Sequence, residues 1–336
     1  MAEVQASSLP AERRSIARRA AEQFLRRREA SILLVAIGLT VYFQLTRSVF
    51  LSHDNIITVS QYLAPVAIIA VGEVLLLVCG EIDLSVGNVY TLAPFLMHYA
   101  IDYYHLPPAL AIVVVLLLAA VIGLVNGLVT VVLRVPSFVT TLGMLFIISG
   151  ITLLTSHAFP VEIPTAAEGL GRWVGAAPWS ELIWAVVIVG VFHVILTTTR
   201  WGLHTIAVGG NLIGASEAGV KVGRIKIGNF MITSMLGAFT GILEAFRIDS
   251  IDPTAGGTEI MFAAVAGAVI GGTALAGGSG TIIGAFVGAL VLAILRDGFN
   301  LIGISANAFD LILGAAILLA MISNVYLARL RRAGRT

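Results

Sequence analysis

The chain has 336 residues, 58% of them hydrophobic and 12% charged, with a formal net charge of +1. Soluble domains carry about 25% charged residues, so this composition, with a mean hydropathy of +0.98, excludes an ordinary soluble protein, and the near-neutral balance gives no footprint for a nucleic-acid partner. Cys79 is the single cysteine, which excludes an intrachain disulfide and a cysteine metal cluster.

The first 30 residues are rich in arginine and lack a small-residue cleavage site after the first apolar run. They are too long and too basic for an ordinary signal peptide, so that run is expected to be retained as a helix. Apolar runs of helix length then recur to the end of the chain. A helix needs about 20 apolar residues to cross a bilayer, and nothing here alternates with the period of a membrane barrel strand. The expectation is an all-α integral membrane protein with about ten spans, over residues 32–50, 56–79, 84–101, 108–133, 136–156, 181–198, 227–248, 260–275, 281–300 and 309–328. The eighth and ninth are short and glycine-rich. The chain divides into an Arg-rich segment 1–30, a membrane domain 31–328 and a basic tail 329–336.

Positive charge sets an expected orientation. Arg13, Arg14, Arg18, Arg19, Arg26, Arg27 and Arg28 precede the first span, and Arg134 follows the fourth. Arg200, Lys221, Arg224 and Lys226 lie between the sixth and seventh; Arg329, Arg331, Arg332 and Arg335 follow the tenth. With ten spans and a cytoplasmic N-terminus, sixteen of the twenty lysines and arginines fall inside, as the positive-inside rule requires. Both termini are then cytoplasmic, 157–180 is the longest outside loop and 200–226 the longest inside one.

A shift of 171 residues lays 126–145 on 297–316, matching Gly127, Phe138, Leu142 and Gly143 with Gly298, Phe309, Leu313 and Gly314. Extended backwards, spans two to five correspond to spans seven to ten in inverted orientation, a common transporter plan. The repeat sets "EIDLS" against "RIDSIDP", and so Asp83 against Asp249.

"GEIDLSVG", residues 80–87, puts two carboxylates between apolar spans. Asp83 has two readings. As an N-cap it accepts hydrogen bonds from the free amides that open the next helix, with Ser85 sharing that role and Gly80 and Gly87 permitting a tight turn or close helix approach. Alternatively Asp83 and Ser85 line a polar pathway where a broken helix exposes backbone groups. Glu81 is expected to face the interface and solvent. Glu73, inside span two, is paired, protonated or turned to a central cavity. Glu73, Asp83, Ser85 and Asn88 are the candidate substrate-pathway residues. In "LEAFRIDSIDP", Glu244 and Arg247 are spaced to pair on one helix face. Arg247, Asp249 and Asp252 either form a solvated helix end or dock an outside partner at a cavity mouth. Arg296 and Asp297 read as a helix-end pair, and the glycines of 267–290 as close helix packing.

No GxxxxGK[ST] phosphate loop occurs, so the chain carries no recognisable ATPase, and no HExxH or paired-histidine spacing suggests a metal. "GGSGT" is not the GxSxG of a hydrolase elbow. Residues 200–226 are the best candidate docking element, with a short helix in "NLIGASEAGVKVGRIK" that starts near Asn211 and ends near Gly219.

"GEIDLSVG", "RVPSFVTTLGML", "AVGGNLIGASEAGV", "DPTAGG", "GGTALAGGSGTIIGAFVGAL" and "DGFNLIGIS" occur in that order across residues 60–305. This set resembles the permease subunits of bacterial ABC sugar importers, of the ribose, xylose and autoinducer-2 type. The resemblance implies a ten-helix type II importer fold in the inner membrane and a homodimer or heterodimer of permeases. It also implies two cytoplasmic ABC ATPase domains that bind the ATP and Mg, with no cofactor in this chain, and a periplasmic sugar-binding protein. By the same resemblance Gly209, Gly210, Asn211, Ala215, Glu217 and Gly219 shape a coupling helix that sits in a cleft of the ATPase. The chain departs from the common pattern at Glu81, at Leu212 and Ile213, and at Ser279, which leaves the substrate and the choice of ATPase open. Two other classes compete: an ion-coupled secondary transporter of a small polar solute, and an integral-membrane enzyme or scaffold.

Overall fold

The computed structural model describes residues 28–305 and, beyond them, residues 308, 311, 312, 314, 315, 318 and 322. The Arg-rich head up to Arg27, most of the expected tenth span and the basic tail lie outside the described residues.

The described chain is helical almost throughout. Helix α1 (Arg28–Thr46) leads by a short turn to α2 (His53–Val78), which the Ser52 hydroxyl caps by accepting from the Asn55 amide at 3.4 Å. After a break come α3 (Val86–Asp102), α4 (Pro108–Val131) and α5 (Ser137–Ser156). Helix α4 begins at Pro108 and α5 directly follows Pro136, positions where a missing N–H costs nothing. Then follow β1 (Val161–Glu162), α6 (Thr165–Val174), α7 (Ser180–Thr198), α8 (Arg200–Gly210), α9 (Leu212–Glu217), α10 (Val222–Ile248), β2 (Ser250–Ile251), α11 (Gly257–Ile270) and α12 (Ile282–Leu301). The strands pair antiparallel, Val161 opposite Ile251, and pin the α5–α6 connection to the end of α10.

Helix α2 is the axis of the bundle. Every residue from Ala67 to Val78 is buried, against α7, α10, α11 and α12. Helices α3 and α4 close on the other side of α10, and α1 packs on α12 through Phe43, Phe50 and Phe299. Close crossings depend on glycine: a Cβ at Gly123 would lie 2.4 Å from the Phe230 carbonyl on α10, and one at Gly288 2.1 Å from the Gly267 carbonyl on α11. The outer faces of α4, α5 and α7 expose Leu117, Val121, Phe146, Leu154, Val187 and Val191, a surface suited to lipid. Among the described residues, six helices are long and apolar enough to cross a bilayer: α2, α4, α5, α7, α10 and α12.

The first nine expected segments coincide within a few residues with α1, α2, α3, α4, α5, α7, α10, α11 and α12. The expected short helix between Asn211 and Gly219 is α9, and two further stretches expected as loop are structured. Residues 157–180 carry β1 and α6, whose Ala167 and Gly171 are buried, the latter against Phe246. Residues 200–226 carry α8 ahead of α9, with α8 started by the Thr199 hydroxyl accepting from the Gly202 amide at 3.3 Å.

Candidate functional site

Three features stand out: the break between α2 and α3, the α8–α9 segment beside it, and a cavity at the opposite end of the bundle.

Helix α2 ends at Cys79 and Gly80, where Gly80 takes a φ of +81° and the Glu81 amide returns to the Leu76 carbonyl at 2.9 Å. The chain then runs without helical bonds to Ser85. Irregular backbone in the membrane must find partners inside the protein, and the first turn of α5 supplies them. The Ser137 hydroxyl accepts from the Ile82 amide at 3.4 Å and the Thr141 hydroxyl from the Leu84 amide at 3.0 Å. Asp83 accepts from the Ser85 amide at 2.8 Å, the Ser85 hydroxyl at 2.6 Å and the Asn126 amide at 3.3 Å. The carboxylate thus sets the entry of α3, as an Asx turn does. Ser85 stands at the N-cap position without capping, because its hydroxyl is turned to Asp83 and accepts from Asn126 at 2.9 Å. Asp83, Ser85 and Asn126 are fully buried.

Glu73 is fully buried as well. Neither carboxylate oxygen has a hydrogen-bond partner, although the Asp83 main chain lies beside it. Asn88 is buried with its carbonyl oxygen unpartnered. Glu73, Asp83, Ser85 and Asn88 therefore all lie in the interior of the chain, and none lines the cavity described below. Glu81, expected at the solvent, is instead half-buried in an ion pair with Lys226 at the start of α10.

The α8–α9 segment abuts this break. Asn211 has extended backbone and caps α9, its carbonyl oxygen accepting from the Gly214 amide at 2.9 Å; Gly219 follows the helix with φ +83°. Ala215 is buried with Cys79, Val208 and Ile225, while Glu217 is exposed. Gly209 is packed so closely that a Cβ there would lie 1.7 Å from the Val78 carbonyl, whereas one at Gly210 would meet nothing nearer than 3.9 Å. The Gly278 amide donates to that same Val78 carbonyl at 2.8 Å, so α8, the end of α2 and the α11–α12 hairpin meet at one point. Leu212 and Ile213, the first residues of α9, are exposed.

Asn229 ties this assembly together. Its side-chain amide donates to the Leu75 carbonyl at 3.2 Å and the Thr205 hydroxyl at 3.4 Å, and its carbonyl accepts from the Trp201 indole at 2.9 Å. It joins α10 to α2 and α8 in one buried group. A polar residue inside an apolar run, "KIGNFMITS" for Asn229 and "GLVNGLV" for Asn126, was the available signal for both.

At the far end of α2 and α10 lies a cavity of about 330 Å³. Its polar lining includes Gln61 and Tyr62 of α2, Glu244 and Arg247 of α10, Glu259 of α11 and Arg296 of α12. It extends along α2 from Thr58 to Val66, about 12 Å at the helical rise. The Arg247 guanidinium is bound by Glu244 on its own helix and sits 3.2 Å from Glu181 of α7, which is almost wholly buried. Arg247 is thus committed to internal carboxylates rather than presented to an outside surface. Asp249 ends α10 in a left-handed conformation, and exposed Asp252 accepts from the Thr254 amide and hydroxyl at 2.7 Å. Arg296 does not pair with Asp297. It reaches Glu259 at 2.9 Å and lies 4.9 Å above the Tyr62 ring, while Asp297 accepts from the Asn55 amide at 2.7 Å. Adjacent helical residues point about 100° apart, so the two face different neighbours. Among the described residues no cluster of three acidic, histidine or cysteine side chains is placed to hold a metal.

Residues 55–321 match the family described as branched-chain amino acid transport system, permease component. The chain is 40% identical over 311 residues to the xylose/arabinose import permease protein XylH of Sulfolobus acidocaldarius, covering 91% of this chain and 87% of the relative. It is 33% identical over 280 residues to the ribose import permease protein RbsC of Escherichia coli, covering 81% and 86%. It is 31% identical over 310 residues to the L-arabinose ABC transporter permease protein AraH of Azospirillum brasilense, covering 90% and 89%. No solved structure matches significantly. With a multi-pass bundle of apolar helices and this similarity along most of its length, the chain belongs to the permease family of ABC sugar importers.

Proposed function

We propose that this chain forms the membrane pathway of an importer for a neutral monosaccharide and takes its energy from a separate ATPase docked on α9. The observation that carries the docking assignment is α9 itself. It is a short helix capped at both ends, with Leu212 and Ile213 exposed, at the end of the bundle rich in arginine and lysine. Adjacent exposed apolar side chains on a polar surface support a partner contact when they form one patch. Gly209, Gly210, Asn211, Ala215, Glu217 and Gly219 shape this element. ATP and Mg then bind to the partner, and this chain supplies no catalytic group.

The same charge asymmetry supports an orientation with α8–α9 and both termini in the cytoplasm. The cavity then opens outward, and α6, the β1–β2 pair, Asp249 and Asp252 face a periplasmic sugar-binding protein. Residues 309–328 complete ten spans. An inverted repeat is supported by the parallel between α2–α3 and α10–α11: each is a long helix, a break carrying Ile-Asp, and a shorter helix. Two copies, identical or paired with a homologue, enclose the route. The relatives' named substrates are xylose, arabinose and ribose, which favours a neutral pentose here.

Co-expression with a candidate ATPase and binding protein tests the reading. Sugar uptake into proteoliposomes should require all three components and ATP. Uptake by this chain alone, driven by an ion gradient, would instead support the secondary-transporter reading.

A further inference from the structure

We infer that the ion pair between Glu81 and Lys226 is the tie that carries displacement of α9 into the break between α2 and α3, which makes both side chains positioning residues for ATP-driven transport. The inference rests on the reading that an ATPase docks on α9, and adds the link by which that docking acts on the membrane helices.

Burial of the pair is the first argument. Of the lysines and arginines in 200–226, Arg200, Lys221 and Arg224 are exposed, whereas the Lys226 side chain is 15% exposed and that of Glu81 11%. A charge turned inward is costly unless a partner meets it. Lys226 meets Glu81 across 145 residues of sequence, so the contact is made by the packing of α10 on the break and not by local chain geometry.

The second argument is the rigidity of the piece that holds Lys226. Residues 218–221 alone separate α9 from α10, and they are bonded to both. The Gly219 amide donates to the Ser216 carbonyl, the Val220 amide to the Ala215 carbonyl and the Arg224 amide to the Lys221 carbonyl, each at 3.0 Å. Ile225, next to Lys226, shares a buried cluster with Ala215 of α9. Helix α9 and the first turns of α10 therefore move as one piece.

The third argument is what Glu81 holds. Its amide is bonded to the Leu76 carbonyl at the end of α2. The residues after it are bonded to α5 through Ser137 and Thr141, and to α4 through Asn126. Among the described residues, the Lys226–Glu81 contact is the hydrogen bond that joins α10 to 80–85. Asn229 also ties α10, but to the Leu75 carbonyl and so to the body of α2. The direction of force separates the ion pair from the apolar contacts around it. Packing of Cys79, Val208, Ala215 and Ile225 resists compression, yet a gap of about 1 Å already forfeits up to half of a dispersion contact. The attraction between opposite charges falls only inversely with distance, and a charge-assisted hydrogen bond is directional. The pair therefore transmits a pull as well as a push.

Variants of the assembled importer, with ATPase and binding protein in proteoliposomes, provide the test. Abundance, retained ATPase, ATP hydrolysis and the xylose, arabinose or ribose taken up per ATP are followed together. Removing one charge strands the other, so the informative variant is the neutral double, Glu81→Gln with Lys226→Gln. It should keep its abundance and its ATPase, hydrolyse ATP, and move at least about fivefold less sugar per ATP, the lower end of ordinary coupling between sites. The reversed pair, Glu81→Lys with Lys226→Glu, should recover most of that loss. A second measurement works in protein already folded. On a Cys79→Ala background, Glu81→Cys with Lys226→Cys is bridged by a short bifunctional methanethiosulfonate, which makes the tie covalent. Sugar moved per ATP should fall at least about fivefold when the bridge is reduced. Wild-type coupling in the neutral double overturns the tie alone, as does a reversed pair no better coupled, or a bridged protein that is unchanged or improved by reduction. Loss of the ATPase from the neutral double also overturns it, because the pair would then shape the dock itself. A wild type that retains no ATPase, or takes up sugar without ATP, overturns the docking reading and the tie with it.

Discussion

Gly209 and Gly210 are neighbours at the end of α8, and the structure assigns them opposite tolerances. Alanine at Gly209 would place its Cβ 1.7 Å from the Val78 carbonyl oxygen, 2.7 Å from the Gly278 nitrogen and 2.8 Å from the Val78 carbonyl carbon. Ordinary contact needs roughly 3.5 Å, so the shortfall is nearly 2 Å, and all three obstacles are backbone that no rotamer change can clear. Either α8 withdraws from α2, or the Gly278–Val78 hydrogen bond of 2.8 Å opens. Overpacking costs about 1–3 kcal/mol and a lost backbone hydrogen bond about 0.5–1.5 kcal/mol. Gly209→Ala should therefore destabilise the chain by about 2–4 kcal/mol, with only a small offset from helix propensity at a helix end. Gly210→Ala, with 3.9 Å of clearance, should stay within about 0.5 kcal/mol of wild type. Thermal unfolding of purified protein in detergent, with recovery of a co-expressed ATPase, measures both. A Gly209→Ala protein that melts with wild type and retains its ATPase would refute the packing argument.

Five further substitutions probe buried or partly buried polar groups. Asp83→Asn should be mild, because the new carbonyl can still accept from Ser85 and the Asn126 amide can turn its unpartnered oxygen to the new donor; Asp83→Ala should cost about 0.5–2 kcal/mol, read as membrane abundance and uptake per folded molecule, and a folded Asp83→Asn protein without uptake would move the charge into the transport mechanism. Glu73→Gln should leave abundance equal or raised, since a buried carboxylate without partners is expensive; collapse of abundance would show that the charge is needed. Arg247→Gln leaves Glu181 and Glu244 facing each other, at a cost of about 3–5 kcal/mol, and adding Glu181→Gln should recover much of the loss; a double variant no more stable than the single one would disprove the network.

Local features were readable from the sequence because their causes are local. Apolar length fixes where α2, α4, α5, α7, α10 and α12 run, and "GGN" with a glycine eight residues after the asparagine marks the two ends of the α9 turn. Asp83 was expected to cap α3 with Ser85 sharing the role; Ser85 holds the N-cap position without a side-chain cap bond, and the carboxylate binds the Ser85 amide and hydroxyl ahead of the helix. The cavity was not readable. Glu259 and Arg296 stand 37 residues apart, and the span of Gln61 and Tyr62 looks uniformly apolar by composition, so only packing reveals a common space. Asn229 was missed for the same reason, its Leu75 partner lying 154 residues away. Helix α6 escaped because its apolar positions are few and interspersed with polar residues, which reads as loop when only long apolar runs are sought.

The bundle has two long rods between the cavity and the α8–α9 end, and they differ in stiffness. Helices α2 and α10 have 26 and 27 residues, each about 40 Å long. Helix α10 has no proline, so a tilt of about 3° at one end displaces the other by about 2 Å. Helix α2 carries Pro65 in the cavity wall, which deletes the helical bond to the Gln61 carbonyl and lets the rod flex there. Leverage applied near Gly209 would then be delivered whole by one rod and taken up by the other as a bend beside Gln61. The cavity width is the dimension that absorbs the difference, while the Asp83 turn, held on several sides by hydroxyls and amides, travels as a rigid block.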